Sequence, residues 1–244
     1  MSAGSAEGLW MLPTRQRIPT LKRFFAAAVS MGMSTPGRVL VNADELRDSK
    51  YEYLSVDLPD GWEIVASPHD SICETNRGAL PLYRHLDWVG LLTDDVVPET
   101  PQWDRKLLAW HDGRHVITCD DGQQAPARMV GAHIFPMALC RAIGYWVPSG
   151  FKHTHVDNLW EELYGEAGAW RVRMDVTVRH LHPWLTGVED DTHRHSYRAD
   201  RWASDKALYE YWRQYHKPVA LARLRTYLDS LPNLLEATSH KEHA

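Results

Sequence analysis

Two adjacent carboxylates, Asp94 and Asp95, follow the apolar run Trp88-Val89-Gly90-Leu91-Leu92 and precede Pro98. Neighbouring acids at the end of a buried strand are costly unless a cation meets them. A divalent cation carrying a diphosphate does so, as a Lewis acid placed where negative charge grows. A turn cap ahead of Pro98 is the other use of such a pair. Val178-Arg179-His180-Leu181-His182-Pro183 adds two imidazoles. In a strand His180 and His182 share one face, and a borderline metal such as Mn2+ takes neutral imidazole. A pair of surface or hydrogen-bonded histidines is the plainer alternative. In His153-Thr154-His155-Val156-Asp157 the last residue opens a helical stretch. A carboxylate there caps amides or takes a proton from an acceptor hydroxyl, and the two roles are compatible. Arg77, in Glu74-Thr75-Asn76-Arg77-Gly78, is suited to phosphate or to solvent on a helix. No Walker loop and no GxGxxG is present, which argues against a P-loop kinase and a Rossmann dehydrogenase.

These residues need elements to position them. Leu9–Leu12 reads as a short strand, followed by a loop over Pro13–Arg17. Leu21, Phe24, Phe25, Ala28 and Val29 recur at helical spacing, with Pro19 in the first turn and Gly32 at the end. Apolar runs at 38–42, 63–67 and 87–92 predict buried strands, and 72–84 predicts a helix between the last two. This alternation implies a mostly parallel sheet with helices on both faces. Its ligands collect at the carboxyl ends of strands, where the Pro13–Arg17 loop and the Asp pair both fall. Further along, helices are expected over 101–110, 136–144 and from Val156 to Leu163, and strands over 114–119, 128–134 and 172–182. A helical tail from Ser204 to Leu231 is expected to wrap the domain.

The chain has 244 residues, 44% of them hydrophobic and 24% charged, enough to bury one large α/β core. No run of 18 apolar residues predicts a membrane span, and the N-terminus lacks the pattern of a signal peptide. Cys73, Cys119 and Cys140 match no zinc spacing and read as reduced thiols of a cytoplasmic protein. The net charge of −5 is uneven: Thr192 to Thr226 holds eight Lys or Arg against three Asp or Glu, leaving −10 on the remainder.

The order of these pieces resembles the family 2 type of GT-A glycosyltransferase, especially its small phage-encoded forms, from about Leu9 to Asp191. The resemblance is carried by the opening strand with Pro13-Thr14-Arg15, the Val39–Asp44 strand and loop, and Asn76-Arg77. It continues through Asp94-Asp95 with Thr100-Pro101-x-Trp103-Asp104, Leu139–Pro148, His155-Val156-Asp157 and His180-Leu181-His182-Pro183. It implies an α/β GT-A fold, a Rossmann-like mixed, mostly parallel sheet flanked by helices, with a helical C-terminal tail. The implied divisions are a flexible N-terminus at 1–8, the transferase domain at 9–191 and a basic, aromatic-rich extension at 192–244. The implied activity is transfer of a sugar from a nucleotide-sugar, UDP-sugar favoured, to a hydroxyl, with inversion and with Mn2+ or Mg2+ as cofactor. Pro13, Thr14 and Arg15 would line the nucleotide pocket, with Asp44 near the base and Asn76 and Arg77 near ribose and diphosphate. Asp95 would hold the metal, with His180 or His182 completing its shell. Thr93 stands where the family's Asp-x-Asp has its first acid, so Asp94 falls to the ribose or the sugar. Asp157 would be the catalytic base.

The basic, aromatic C-terminal stretch suits a polyanion, and with the phage-like resemblance it points to a hydroxymethylated pyrimidine in phage DNA as acceptor, in the host cytoplasm. An ordinary solvated helix is the plainer reading of that stretch. A metal-dependent phosphohydrolase or nuclease would recruit more carboxylates, with Glu99 and Asp104 the nearest. A non-catalytic nucleotide or carbohydrate binder would use the 11 tryptophans as stacking faces.

Overall fold

Alternation along the first strand sets the layers of the molecule. In the computed structural model, which describes residues 6–69, 71–129, 131–182, 187 and 191–232, β1 (Gly8–Thr14) sends Leu9 and Met11 to one apolar cluster and Trp10 and Leu12 to another. Successive side chains of a strand face opposite ways, so one strand feeds cores on both faces of the sheet. Helix α1 (Ile18–Ser30) follows and buries Leu21, Phe24, Phe25 and Ala28. Val29, expected on the same stripe, is exposed. Strand β2 (Gly37–Asn42) leads to two short helices that the sequence reading missed, α2 (Ala43–Asp48) and α3 (Lys50–Leu54). Then come β3 (Trp62–Ser67), α4 (Ile72–Tyr83), β4 (Trp88–Leu91), the short β5 (Val96–Pro98) and α5 (Trp103–Leu108).

The second half contains β6 (Val116–Asp120), β7 (His133–Pro136), α6 (Met137–Ile143), α7 (Val156–Glu166) and β8 (Trp170–His180). Three C-terminal helices complete it: α8 (Asp191–Ser196), α9 (Ala199–Tyr215) and α10 (Lys217–Ser230). The single helical tail expected over 204–231 is therefore two helices. Pro218 sits in the first turn of α10, and a proline cannot extend the preceding helix through itself because it has no amide hydrogen and crowds the turn before it. The strand expected over 128–134 starts only at His133, and the one expected over 172–182 stops at His180.

The eight strands lie in the order β3-β2-β1-β4-β7-β6-β8-β5. The β1–β2, β2–β3, β1–β4 and β6–β8 pairings are parallel, and β4–β7, β6–β7 and β5–β8 are antiparallel. One apolar cluster, with Phe135, Trp146, Trp160 and Tyr164, joins the sheet to α4, α6, α7, α9 and α10. The other, with Trp10, Phe25, Trp62, Trp88 and Trp103, joins it to α1 and α5. Gly90 of β4 is a packing requirement: a Cβ there would collide with the Trp10 ring. The long β8 carries an irregularity where its pairing with β6 jumps from Cys119↔Arg173 to Asp120↔Thr177, and its last residues pair with β5 instead.

Candidate active site

The chain leaves β1 toward β2 on one side and later returns to β4 on the other. The carboxyl ends of β1 and β4 therefore diverge, and such a switch point is where open α/β sheets bind ligands. Past β1, Gln16 adopts a left-handed φ of 51°. A non-glycine residue in that region costs about 1–3 kcal/mol. The bend leaves Gln16 exposed while Arg15 and Arg17 on either side both line the crevice. Past β4, the chain places Thr93, Asp94 and Asp95 on the facing wall. Because β5 pairs with the end of β8, Val96 lies opposite His180, and the amide of Leu181 donates to the Asp95 carbonyl at 2.8 Å. That pairing carries the imidazole to the second carboxylate.

Both acids are buried, with relative exposures of 3% for Asp94 and 6% for Asp95. The Thr14 hydroxyl donates to Asp94 Oδ2 at 2.5 Å. Arg17 Nη1 reaches Asp94 Oδ1 at 2.5 Å and Asp95 Oδ2 at 3.3 Å. His180 Nε2 lies 3.3 Å from Asp95 Oδ1. Burial pulls the His180 imidazole down, but hydrogen bonding and charge from Asp95, with Asp121 behind it, outweigh burial and raise it above its ordinary value.

The cavity encloses about 960 Å³, its open mouth included. Ser71, Ile72 and Thr75 at the start of α4 form one side, and Lys152 and His153 another. The loop bearing the latter two is held from a distance: the fully buried Asp205 of α9 accepts the amides of Lys152, His153 and Thr154 at 3.0, 2.8 and 2.8 Å. The C-terminal helices border the mouth. Thr192, His195, Ser196, Tyr197 and Arg201 all line it, and the Thr192 hydroxyl donates to the Arg15 carbonyl at 2.8 Å. Tyr197 is pushed up to about 12 by burial and by the charges of Asp157 and Asp95. Its hydroxyl is 3.2 Å from His182 Nε2.

Of the residues singled out from the sequence, Pro13, Thr14, Arg15, Asp94, Asp95, His180 and His182 line this one cavity. Asp44, Asn76, Arg77 and Asp157 do not. Asp44 is mostly exposed at the start of α2, 3.2 Å from Arg47. Asn76 is buried in α4 behind Thr75, and Arg77 is 4.0 Å from Glu74. Asp157, in the first turn of α7, meets Arg128 Nη2 at 3.1 Å. Pro183 lies outside the described residues. The sequence reading passed over Arg17, although its spacing of two from Arg15 within one short loop was a usable sign. It also passed over Lys152 and Asp205, which carry no local pattern, and took Tyr197 only as part of the basic, aromatic stretch.

Among the described residues, no three His, Cys, Asp or Glu side chains gather around one point. Asp95 and His180 supply a carboxylate oxygen and an imidazole nitrogen side by side at 3.3 Å. A small divalent cation bound to phosphate takes only one or two protein donors, filling the rest of its shell with phosphate oxygens and water. The donor set fits a cation that arrives with a phosphorylated ligand.

No protein-family model matches the sequence, and no curated protein aligns with it. Solved structures do resemble the chain. A mannosyltransferase from Pyrobaculum calidifontis, in complex with GDP-Man and Mn2+, has a TM-score of 0.54 at 12% identity over 98% of this chain and 80% of that one. Glucosyl-3-phosphoglycerate synthase from Mycobacterium tuberculosis, in complex with Mn2+, UDP and phosphoglyceric acid, has a TM-score of 0.54 at 11% identity over 93% and 80%. A 4-diphosphocytidyl-2C-methyl-D-erythritol synthase from Anaerococcus prevotii has a TM-score of 0.50 at 10% identity over 84% and 96%. The chain has the GT-A fold expected from its sequence. Since the last of these proteins is named for a different product, the reaction has to be read from the site.

Proposed function

We propose that this chain is a cation-dependent glycosyltransferase, moving a sugar from a nucleoside diphosphate donor to a hydroxyl. The observation that carries the reading is the crevice between β1 and β4. There, two buried carboxylates with an imidazole against one of them face two arginines of a single loop. Arg15 Nη1 and Thr93 Oγ1 are buried in this lining without a hydrogen-bond partner among the described residues. Buried donors of this kind are expected to find acceptors, and diphosphate oxygens supply them.

The site assignments follow. Asp95 and His180 would hold Mn2+ or Mg2+, and His182 is the lesser candidate because its Nε2 faces the Tyr197 hydroxyl. The cation, when bound, stabilises the charge that develops on the departing diphosphate. Pro13, Thr14 and Arg15 form the donor wall, and Asp94, held by Thr14 and Arg17, faces the ribose or sugar. Asp44, Asn76 and Arg77 stand outside the lining and are not carried into the proposed donor contacts. Asp157 is proposed as the base of an inverting displacement. For that role its ion pair with Arg128 must open, and Glu161, already 2.7 Å from Arg128 Nε, can keep the guanidinium.

A two-metal hydrolase is less well supported. Glu99 is committed to Arg179 at 2.6 and 2.8 Å, and Asp104 to the amides of Ser34 and Thr35 at 2.8 and 2.9 Å. No helix among the described residues is long and apolar enough to cross a membrane. Three buried, unbridged thiols accord with a cytoplasmic setting. The test is a screen of UDP- and GDP-sugars with Mn2+ or Mg2+, read as thermal stabilisation and donor hydrolysis. Saccharides and hydroxymethylated phage-type DNA are then offered as acceptors. Donor-dependent stabilisation that requires the cation supports the proposal, and no response to any nucleotide-sugar overturns it.

A further inference from the structure

The carboxylates assigned to the divalent cation already hold a cation of the chain itself. We infer that Arg17 is a resident counter-ion of the donor site: it balances Asp94 and Asp95 before the donor binds, and it passes to the diphosphate when the divalent cation takes Asp95. The inference rests on the donor-site reading above and adds to it a coupling between two ligands.

Geometry carries the argument. A single guanidinium nitrogen, Arg17 Nη1, lies 2.5 Å from Asp94 Oδ1 and 3.3 Å from Asp95 Oδ2, while His180 meets the other Asp95 oxygen. The Arg17 side chain is only 10% exposed, so the contact is largely desolvated and its charge helps to offset two adjacent buried acids. A divalent cation between Asp95 and His180 would stand beside this guanidinium, and two like charges at that range repel strongly when water is scarce. Arg17 precedes α1 in the loop that also carries Arg15, so its head can swing on its own stem while the backbone stays fixed. Arg15 already turns a buried nitrogen into the same cavity. A diphosphate seated there offers Arg17 a second set of oxygens in the bidentate geometry that arginine favours.

A thermodynamic consequence follows. The divalent cation alone must displace Arg17 from Asp95 without bringing it a new anion. The cation with a diphosphate gives Arg17 a new anion. Each ligand therefore improves the other's affinity by the same factor, and Arg17 is the element that links them.

The experiment uses the full chain and measures free Mn2+ from the electron paramagnetic resonance signal of the aquo ion. MnCl2 is titrated alone and with saturating UDP or GDP. In the wild type, the better of the two nucleotides is expected to tighten Mn2+ by at least about 10-fold, within the usual range of site–site coupling. In Arg17→Gln, Mn2+ alone should bind about 10-fold more tightly than in the wild type, and the tightening by nucleotide should shrink to about 3-fold or less. A folded Arg17→Gln protein with unchanged or weaker Mn2+ binding overturns the inference, because the inference requires Arg17 to compete with the cation for Asp95. Should that variant fail to fold, Arg17→Lys carries the test. It keeps the charge without the fork, so Mn2+ alone should tighten by a few fold, and unchanged affinity overturns the inference. A wild type that takes up neither Mn2+ nor nucleotide breaks the donor-site reading itself, which sets that failure apart from the failure of Arg17.

Discussion

Two kinds of buried carboxylate lie in this molecule, one at the cavity and one behind it. Asp104 and Asp205 are fully buried, and Asp94 and Asp95 nearly so. Asp104 accepts the amides of Ser34 and Thr35 and the Thr35 hydroxyl. Asp205 accepts three successive amides and the Thr154 hydroxyl. Most of those donors belong to the backbone and cannot turn away. At the cavity, by contrast, Asp94 and Asp95 are met by the Thr14 hydroxyl, the Arg17 guanidinium and the His180 ring, groups that rotate. A carboxylate caged by amides fixes a loop. One met by rotatable cations beside an opening can exchange them for a ligand.

Paired substitutions test that contrast, and the largest effect is expected at Asp95. Asp95→Ala should remove sugar transfer below detection while circular dichroism and the cooperative thermal transition persist. Asp205→Ala should do the reverse. It strands three amides and a hydroxyl, a loss of about 3–5 kcal/mol of stability for a broken buried polar network. Activity should then fall only as far as the Lys152–Thr154 loop loosens. Near-normal turnover in Asp95→Ala, or an Asp205→Ala protein as stable as the wild type in denaturant titration, would break the distinction.

The next effect concerns the proton. Asp157→Asn should lower turnover by about 10²–10⁴-fold, the usual contribution of a general base, with donor affinity unchanged. His153 is the control, since it lines the cavity and Asp157 does not. If His153→Gln gives the larger loss of kcat and Asp157→Asn only lowers the thermal midpoint, the base belongs to the cavity wall and Asp157 is a helix-terminal ion-pair residue.

These contrasts mark how far the sequence could be read. Strand ends and the Asp pair were legible, because burial leaves apolar runs and a ligand site leaves charge at their ends. His180 was legible through its alternation with His182, although β8 ends at His180 and His182 turns to Tyr197. Arg17 was legible only as a second arginine of the Pro13–Arg17 loop, since nothing local shows that it meets acids 77 and 78 positions away. Asp205 is separated by 51 to 53 positions from the amides it holds, and an isolated acid in a helix gives no sign of a distant loop. Exposure of Val29 depends on which part of the α1 stripe the sheet covers, a property of packing that helical spacing alone does not give.

A third buried titratable group sharpens the contrast because no carboxylate among the described residues is bonded to it. His133 on β7 stacks on Phe135 with ring centroids 5.9 Å apart, and burial drives its pKa down to about 4. The unfolded imidazole gains a proton below about 6.5, so between those values the unfolded state binds more protons and stability falls as pH falls. The wild type should lose on the order of 3 kcal/mol between pH 6.5 and 4 through this residue. His133→Leu should flatten that part of the profile in urea titrations at successive pH values. An unchanged slope would assign the acid sensitivity to other groups.

The smallest effect is expected on the helical face, where carboxylates and cations meet in solvent. Counted along the chain, residues 192–226 are strongly basic, but the acids that answer them sit partly on another helix. Arg213 and Lys217 pair with Glu162 of α7 at 2.9 and 3.0 Å, and Lys217 also reaches Glu166 at 2.7 Å. Arg194, Arg198 and Lys206 pair with Asp191, Asp200 and Glu210. An excess of charge in sequence is thus largely balanced in space. Eight cations engaging phosphates would make the logarithm of DNA affinity fall with the logarithm of salt at a slope of about −7. With at least five of them answered by the chain's own carboxylates, which phosphates would repel, the slope should be no steeper than about −3. Duplex DNA should therefore bind weakly, and Arg198→Gln with Arg213→Gln should change both the slope and the thermal midpoint little. A measured slope near −7 that collapses in the double variant would mean the ion pairs open to nucleic acid. The helical face would then join the cavity as a place where cations are exchanged for a ligand's charge.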